Sequence, residues 1–407
     1  MTETATPPPS SEGEVVPSVA ARLAFYQRAG GILTPLLTAL LAFFVGGLVV
    51  FVTTHKNPLN TYREIFNGTG LNWLFPWVHG HERFSAALNL QQTLILTTTL
   101  ILTGLAVAFA FRCGLFNIGA QGQYVVGSLV AVQTGVWFAG MPAVPHVLLA
   151  VAAAMLVGAV WGGIAGILRA TVGAHEVITT IMLNWIALWV GSWLVGFGGP
   201  MQDKAQISAP VTKEIAAGAK LHVWWGSAIL QGLHIGFFVA IGALVVYWIV
   251  LNRTTLGYEV KAVGFNAEAA RYGGISVSRN YFLAMAISGA FAGVAGAMDI
   301  LGWQFRLDLT SVQTASQIAF IGIAVALLGR NTAPGIFFAA LLFGALLNGT
   351  STRNLDPSVF RPELAGNLTR IIQGLIVLFV GADVLILYLW QARRKLRLRG
   401  TTAEAQP

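Results

Sequence analysis

The stretch at 251–279 concentrates charged residues in a chain of which only 10% of residues are charged. It reads LNRTTLGYEVKAVGFNAEAARYGGISVSR and carries Glu259, Lys261, Glu268 and Arg271 around a small group of alanines. A short helix of this kind allows close approach through its small residues and charged contacts at its rim. The segment therefore predicts a docking site for another protein on one face of an otherwise apolar chain.

A glycine-rich segment at 114–123, GLFNIGAQGQ, holds the amides Asn117, Gln121 and Gln123 near a predicted membrane boundary. Unpaired amide groups are costly in hydrocarbon, so these side chains must face protein, backbone or water. Two interpretations stay open. In the first, which we favour, the amides cap a helix and fasten it to its neighbours; in the second, a broken helix lines a translocation path.

The run AHEVITTIMLNW at 174–185 places Glu176 at a helix start, where the helix dipole favours an acidic residue. Asn184 lies well inside the same helix and needs a partner there, which makes it another candidate for the translocation path. His175 and Glu176 resemble the start of a zinc-protease motif, but Thr179 stands where the second histidine of H-E-x-x-H is required. A metalloprotease is therefore excluded.

No catalytic constellation and no metal-ligand cluster stands out in the sequence. The P-loop pattern G-x-x-x-x-G-K-[ST] is also absent, so the chain has no such site of its own for ATP. If ATP drives this protein, a separate subunit must bind and hydrolyse it. We therefore expect a transport subunit without a cofactor, driven by a separate motor, rather than an enzyme.

The composition is that of an integral membrane protein. Of 407 residues, 56% are hydrophobic and 10% are charged, against about 25% charged residues in soluble domains. The net charge of +8 does not indicate nucleic-acid binding, because the basic residues at 392–407 directly follow an apolar segment. Such clusters lie on the cytoplasmic side and contact anionic lipid headgroups. Residues 1–29 are Pro/Ser-rich and predict a disordered cytoplasmic tail rather than a secretory signal.

A hydrocarbon core of about 30 Å requires about 20 apolar residues per helix. This criterion predicts an all-α permease domain at 30–391 with about ten transmembrane helices. The pair at 315–350 is open, because Gly329 and Pro334 fit either two short helices or one segment that re-enters the bilayer. The predicted spans are 30–53, 88–111, 117–139, 146–169, 176–197, 228–251, 281–302, 315–330, 333–350 and 369–390.

The positive-inside rule supports an even number of spans with both termini in the cytoplasm. The positions that alternation then places inside are Arg112, Arg169, the 253–280 loop, Arg330 and the basic C-terminus. Asp299 and Asp308 fall at the outer end of the seventh span, and Asp383 near the inner end of the last. An ion-coupled carrier is expected to hold acidic residues at the midplane, so their shortage there disfavours that class.

Three motifs in this order resemble a known family: GLFNIGAQGQ at 114–123, HEVITTIMLNW at 175–185 and GFNAEAARYGGI at 264–275. Together they are similar to permeases of bacterial ABC importers, in the branched-chain amino acid, simple sugar and nucleoside permease family. The resemblance extends over roughly residues 30 to 390. It implies a multi-pass inner-membrane permease similar to the type II, vitamin B12 importer-like fold.

The resemblance also implies partners: two ATPase subunits that bind ATP, a second permease subunit and an extracytoplasmic substrate-binding lipoprotein. Within the 253–280 loop, five residues match the segment that fits a groove in the ATPase. They are Glu268, Ala269, Ala270, Arg271 and Gly274. The candidate path residues remain Asn117, Gln121, Gln123 and Asn184.

The cargo is suggested by the run EVITTIMLN, which looks most like the nucleoside branch, whose longer subunit pairs with a shorter permease. Sugar permeases of the family typically carry proline in place of Glu176. Two positions depart from many relatives, namely Gln121 in place of Glu and His175 in place of Asn. The sequence thus predicts an ABC importer permease for nucleosides. A sugar or branched-chain amino acid ABC permease is the alternative, and an ion-coupled secondary transporter is more remote.

Overall fold

The computed structural model describes residues 39–52, 55, 57–351, 354 and 362–381, and these form a helical membrane protein. Every predicted span overlaps one of its helices, whereas the predicted tails at 1–29 and 392–407 lie outside the described residues. The helices are α1 Ala39–Val52, α2 Pro58–Thr69, α3 Gly80–Arg112, α4 Ala120–Trp137, α5 Ala143–Val172, α6 Glu176–Val195, α7 Gly236–Arg253, α8 Thr255–Phe265, α9 Ala267–Tyr272, α10 Val277–Asp299, α11 Leu309–Leu328, α12 Ala333–Gly349 and α13 Pro362–Gly381.

Within the described residues, five helices are long and apolar enough to cross a membrane: α3, α5, α6, α7 and α10 with its continuation to Gln304. The continuation, Ile300–Gln304, is a π-helical turn. The protein is therefore a multi-pass membrane protein. The helix α3 is the central one, since it packs against α7, α10, α11 and α12.

One predicted boundary is wrong. The span expected at 228–251 begins only at Gly236, because the preceding residues form a hairpin in which β1 Val223–Trp225 pairs antiparallel with β2 Leu233–His234. The hydropathy window includes apolar hairpin residues such as Leu233, which is buried. A window average measures the amount of apolar surface but not the structure that buries it.

The open question at 315–350 has a structural answer, since α11 and α12 are two separate helices. The turn between them places Arg330 and Asn331 in the left-handed region, with φ of 51° and 53°. Thr332 then caps α12 by accepting a hydrogen bond from the Gly335 amide at 3.2 Å. Pro334 lies in the first turn of α12, where a missing N–H costs nothing.

The helices α5 and α10 cross with their backbones in direct contact. A Cβ on Gly289 would lie 2.1 Å from the carbonyl oxygen of Gly158, and one on Gly293 would lie 2.2 Å from that of Ala154. Only glycine fits at such distances, so this crossing is a case of small-residue packing between membrane helices. It explains part of the high glycine content of 46 residues.

Three segments that the charge pattern predicts on one side of the membrane do meet at one end of the bundle, which we name the Arg112 end. The Arg112 guanidinium donates to the Asn331 carbonyl at 2.6 Å from Nη2. Gly114 lies against the backbone of Gly264, where a Cβ would meet atoms at 3.3 Å. The α3 end, the 253–280 segment and the α11–α12 turn are therefore neighbours.

The long connection at 196–235 covers the opposite end of the bundle. Val211 forms a bridge with Asp308, at the start of α11. The rings of Trp73 and Trp225 lie 5.0 Å apart and join this connection to the segment after α2. The two ends of the molecule thus differ in structure: helices lie at the Arg112 end, and turns, a hairpin and aromatic contacts lie at the opposite end.

Candidate docking and translocation sites

Three helix caps divide the 253–280 segment into α8, α9 and the start of α10. The side chains of Thr254, Asn266 and Ser276 each accept a backbone N–H three residues further along, at 3.2, 3.0 and 3.4 Å. Such caps replace the missing partners of the first turn of a helix. The segment predicted as a loop therefore consists of α8, the six-residue helix α9 and the first residues of α10.

The short helix α9 projects from the Arg112 end and leaves most of its side chains in solvent. Among the predicted coupling residues, Glu268, Ala269, Arg271 and Gly274 are exposed, whereas Ala270 is buried against the rest of the protein. Glu268 and Arg271 form an ion pair at 3.6 Å along the helix. Ala270 thus lies on the inner face of α9, and the other four residues lie on its exposed surface.

Two aromatic residues, one just before α9 and one at its last position, were not predicted from the sequence. Phe265 is 96% exposed and Tyr272 is 94% exposed. Large aromatic side chains at full exposure are costly in water, and they are among the side chains most enriched where proteins bind each other. Their signal in the sequence was visible, since they are the aromatic residues of GFNAEAARYGG.

Behind α9, the helix α8 is anchored firmly to the bundle. Val260 and Val263 are buried, and Asn280 of α10 donates a hydrogen bond to the Glu259 carboxylate at 3.0 Å. Gly264 packs on the backbone at the end of α3, where a Cβ would lie 2.3 Å from the Arg112 carbonyl oxygen. A force applied to α9 therefore reaches α3 and α10 through direct contacts.

The amides of the GLFNIGAQGQ segment form a buried network. The Asn117 side-chain amide donates to Gln123 Oε1 at 2.8 Å and to Ser288 Oγ at 2.6 Å. The Asn117 Oδ1 accepts a hydrogen bond from the Gly119 backbone amide at 2.9 Å, and the Ser288 hydroxyl donates to the Ala106 backbone carbonyl. The network joins α3, α4 and α10, as the fastening interpretation expects.

Asn184 fastens α6 to the same segment. Its Oδ1 accepts from the Gly122 amide at 2.8 Å, and its Nδ2 donates to the Ile118 carbonyl at 2.9 Å. Ile118 lies in the non-helical stretch between α3 and α4, and backbone groups there are satisfied by protein instead of water. Gln121 is buried as well. These contacts show how the helix break is held, and the path role of the four amides stays a prediction.

A second polar cluster centres on Asp299, which is 2% exposed. Its carboxylate accepts hydrogen bonds from Thr99 Oγ1 at 2.5 Å, from the Tyr124 hydroxyl at 2.6 Å and from Trp303 Nε1 at 3.1 Å. The sequence placed Asp299 only at the end of a span. The fold encloses it between α3, α4 and the π-helical turn, where three donors satisfy its oxygens.

An ion pair closes the junction between α5 and α6. Arg169 Nε lies 3.6 Å from Glu176 Oε2, and the Glu176 side chain is largely buried. Glu176 is the first residue of α6, as predicted for an acidic residue that interacts with the helix dipole. The Arg169 guanidinium also lies over the Tyr281 ring at 5.8 Å, which extends the contact to α10.

One histidine is held in its neutral form in the β1–β2 hairpin. His234 Nδ1 accepts a hydrogen bond from the Gly236 amide at 3.1 Å, and the ring packs on Gly302 of the π-helical turn. Burial removes water from the charged form and lowers the pKa of His234 to about 4. The ring therefore acts as a packed, neutral contact between the hairpin and α10.

These features define a class: a multi-pass helical membrane protein with an exposed short helix at one end. The chain belongs to the family described as the permease component of the branched-chain amino acid transport system, which matches residues 89–381. Its relatives are transport subunits rather than enzymes.

Three individual proteins are among the relatives of this chain. The guanosine ABC transporter permease protein NupP of Bacillus subtilis is 36% identical over 378 residues, which cover 91% of this chain and 98% of NupP. The glucose ABC transporter permease protein TsgB13 of Haloferax volcanii is 35% identical over 359 residues, covering 85% and 86% of the two chains. A second guanosine permease of Bacillus subtilis, NupQ, is 28% identical over 254 residues, covering 62% and 78%.

Proposed function

We propose that this chain is the permease subunit of an ABC importer and that nucleosides are its cargo. The observation that carries the proposal is the exposed α9 surface on a chain that matches nearly the whole length of a guanosine permease. The EVITTIMLN run at the start of α6 supports the same cargo. The permease binds no ATP itself in this proposal, and the ATPase partner supplies the hydrolysis.

The proposed architecture is type II-like, with ten spans and both termini in the cytoplasm of a bacterial inner membrane. It is supported by the overlap of every predicted span with a helix and by the meeting of Arg112, the 253–280 segment and Asn331 at one end. That end is then the cytoplasmic one. The connection at 196–235 faces outwards, where a substrate-binding lipoprotein docks.

The proposed partners follow from the two ends. Two ATPase subunits receive α9 and the equivalent helix of a second permease. Pairing with a shorter permease is supported by the relation of this chain to both NupP and NupQ. Bilayer lipids cover the remaining apolar surface, and the basic C-terminal tail at 392–407 contacts anionic headgroups.

In the proposed mechanism, ATP binding moves α9, and α8 transmits the movement to α3 and α10 through the contacts at Glu259 and Gly264. The paired permeases then alternate between outward-open and inward-open states. The cargo moves because its affinity differs between the states, without chemistry on the nucleoside. The amides Asn117, Gln121, Gln123 and Asn184 are proposed to reach the path, Asn184 from the helix that begins with Glu176.

A sugar importer is the second candidate, favoured by one observation: the similarity to the glucose permease TsgB13 nearly equals that to NupP. The transporter would have the same architecture and mechanism, and its cargo would be a sugar. An ion-coupled carrier is disfavoured, because the buried Asp299 already accepts hydrogen bonds from three protein donors.

Uptake of labelled guanosine, uridine and ribose in the native host, with and without this gene, tests the proposal. We expect that deletion removes nucleoside uptake and that ATP depletion with an intact ion gradient also stops it. Loss of ribose uptake alone would mean that the importer transports a sugar instead of nucleosides. Uptake that continues without ATP and follows the ion gradient would overturn the importer assignment.

The coupling role is tested by the double variant Glu268→Lys and Arg271→Glu. The exchange keeps the ion pair along α9, so we expect a folded, membrane-inserted permease that neither co-purifies with the ATPase nor transports. The matched control is Lys261→Glu with Glu259 unchanged, which alters charge on α8 only. Normal transport by the double variant would exclude Glu268 and Arg271 from coupling.

A further inference from the structure

A pocket of about 300 Å³ lies between the end of α4 and the residues that follow α6, at the end of the bundle opposite to the Arg112 end. Its volume is at the lower limit of about 300–1,000 Å³ that is usual for pockets that hold small ligands. Its apolar walls are Val132 and Val136 of α4 and Pro200 and Met201 of the 196–235 connection. We name it the α4–α6 pocket.

The pocket lies on the Asn184 side of α6. Asn184 accepts a hydrogen bond from the Gly122 amide of α4, and further along α6 a Cβ on Gly191 would lie 3.3 Å from Val125. Five residues of α4 that are spaced three or four apart follow this seam: Gly122, Val125, Leu129, Val132 and Val136. Residues at such spacing share one face of a helix. The pocket is therefore the end of the seam between α4 and α6 that contains the candidate path residue Asn184.

Apolar side chains close the seam between the pocket and Asn184. A Cβ on Gly191 would meet Val312 of α11 at 3.1 Å and Leu129 of α4 at 3.4 Å. Leu129 and Val312 are both buried. A molecule in the pocket is thus separated from the buried amides until the helices move, as in the alternating states of the proposed mechanism.

The wall that the connection contributes is held by hydrogen bonds within the protein. The Met201 amide donates to the Leu194 carbonyl at the end of α6 at 2.9 Å. The Gln202 side chain accepts from the Gly198 amide at 2.7 Å and donates to the Ala209 carbonyl at 3.0 Å. The shape of the pocket is therefore built into the fold, and Gln202 serves the wall.

Four other side chains offer unused groups to the pocket. Gln133 is half-buried, Lys204 and Lys213 are exposed, and the Trp137 ring is 70% exposed at the rim. In the part of the chain that the structure describes, the Gln133 amide and the two ammonium groups have neither a hydrogen bond nor an ion pair. None of the described residues that line the pocket is acidic. The pocket thus suits a ligand that combines a flat ring with hydrogen-bond acceptors.

We propose that the α4–α6 pocket is a receiving site for a nucleoside, which occupies it before it enters the seam towards Asn184. The proposal rests on the proposed nucleoside function and orientation. The base stacks on Trp137, which suits purines and pyrimidines because every base has a π-face. Lys204, Lys213 and Gln133 donate hydrogen bonds to the acceptors of the base edge and to the ribose oxygens.

Two other ligands fit only part of this arrangement. A free sugar has hydroxyl groups for the lysines but no flat aromatic ring to stack on Trp137. An acidic side chain of the lipoprotein pairs with Lys204 or Lys213 and leaves the indole unused. A nucleoside uses both the ring and the donors.

The test uses the complex purified through a tag on this permease, in nanodiscs with its co-purifying subunits and without the lipoprotein. The probe is tritiated 8-azidoguanosine, a photoreactive nucleoside, and mass spectrometry identifies the labelled peptides. We expect labelling within 132–137 or 200–213 that excess guanosine prevents and excess ribose does not.

The variants test the role of the indole. Trp137→Leu should reduce this labelling about tenfold, because base–aromatic stacking is lost, and Trp137→Phe should retain most of it. The matched control is Trp77→Leu, which removes an equally exposed indole, 70% exposed, from the segment after α2. We expect the control to be labelled like the wild type.

Four results would overturn the receiving site. Labelling confined to other segments would place the nucleoside elsewhere. Equal labelling of Trp137→Leu and Trp77→Leu would exclude stacking on Trp137. Competition by ribose as strong as that by guanosine would make the pocket a sugar site. If no labelling occurs and Lys204→Gln with Lys213→Gln releases the lipoprotein from the complex, the pocket holds an acidic side chain of that partner.

Failure of the proposed function is recognised separately. A wild type that takes up ribose but no nucleoside in the native host contradicts the nucleoside cargo, whatever the variants of the pocket show. Nucleoside uptake by the wild type together with any of the four results above contradicts only the receiving site.

Discussion

The crossing of α5 and α10 and the short helix α9 are opposite solutions within one chain. At the crossing, Gly158 and Gly293 bring two backbones so close that no Cβ fits between them. On α9, Ala270 is the one buried residue, and the aromatic residues at its flanks are almost fully exposed. The first region is complete in the isolated chain. The second is the surface to which we assign the ATPase partner in the proposed function.

The difference separates the contacts that stabilise the fold from the exposed surface to which we assign a function. Dispersion contacts and close backbone packing drive membrane helices together, because lipid removes the hydrophobic incentive. The helix α9 is too short to be stable on its own and depends on its caps and on α8. Substitutions at the crossing should therefore affect folding, and substitutions on α9 should affect assembly.

The largest expected effect is that of Gly293→Val, which places a side chain against the Ala154 carbonyl. We expect loss of folded protein, measured as the yield of monodisperse protein after size-exclusion chromatography in detergent. Gly242→Val on α7 is the control, because no atom lies within 4 Å of its Cβ position. Equal yields from the two variants would show that the crossing is not needed for folding.

The second prediction concerns the exposed helix α9. Phe265→Ala with Tyr272→Ala should leave the yield and thermal unfolding unchanged, since both side chains are exposed. We expect the affinity for the ATPase, measured by co-purification, to fall by a factor of about 30 or more, because truncation of two aromatic interface anchors costs about 2 kcal/mol or more. Phe338→Ala, exposed on α12, is the control. If the control weakens assembly equally, the aromatic pair has no special role.

The third prediction compares the stability losses of two variants, one of them at the polar cluster inside the bundle. Asp299→Ala leaves the donors of Thr99, Tyr124 and Trp303 without their acceptor, at a cost of about 1–3 kcal/mol for each donor left unpaired. Asp308→Ala removes a helix cap and costs about 1 kcal/mol. We therefore expect the first variant to lower the unfolding temperature of the purified protein further than the second. The reverse order would mean that the cluster is not a structural contact.

The smallest expected effect concerns pH. The pKa of His234 is lowered to about 4 by burial, whereas the unfolded chain has an ordinary histidine pKa of about 6.5. The unfolded state therefore binds the proton first, and His234 lowers stability as the pH falls from about 6.5 towards 4. We expect the unfolding temperature of His234→Gln to depend less on pH in this window. An identical pH dependence in both proteins would contradict the buried, neutral histidine.

Much of the fold was visible in the sequence because hydrocarbon imposes a length and a composition on each span. Each of the ten predicted segments overlaps a helix of the described residues, and Glu176 begins α6 as its charge and position indicate. The predicted start of the span at 228–251 was wrong because hydropathy does not distinguish a buried hairpin from the start of a helix. The break at 329–332 was recognised from Gly329 and Pro334, but only the structure shows two helices.

The sequence by itself determined the class of protein, the approximate spans, the shared end of Arg112 and the 253–280 segment, and the family. Each of these depends on properties that are local or summed along the chain. The tertiary structure alone decided which face of each helix is buried: that Ala270 turns inwards, that Asn184 contacts α4, and that Trp185 turns away from it. The physical reason is that a span hydrophobic on all sides has no preferred face until helices distant in sequence pack against it.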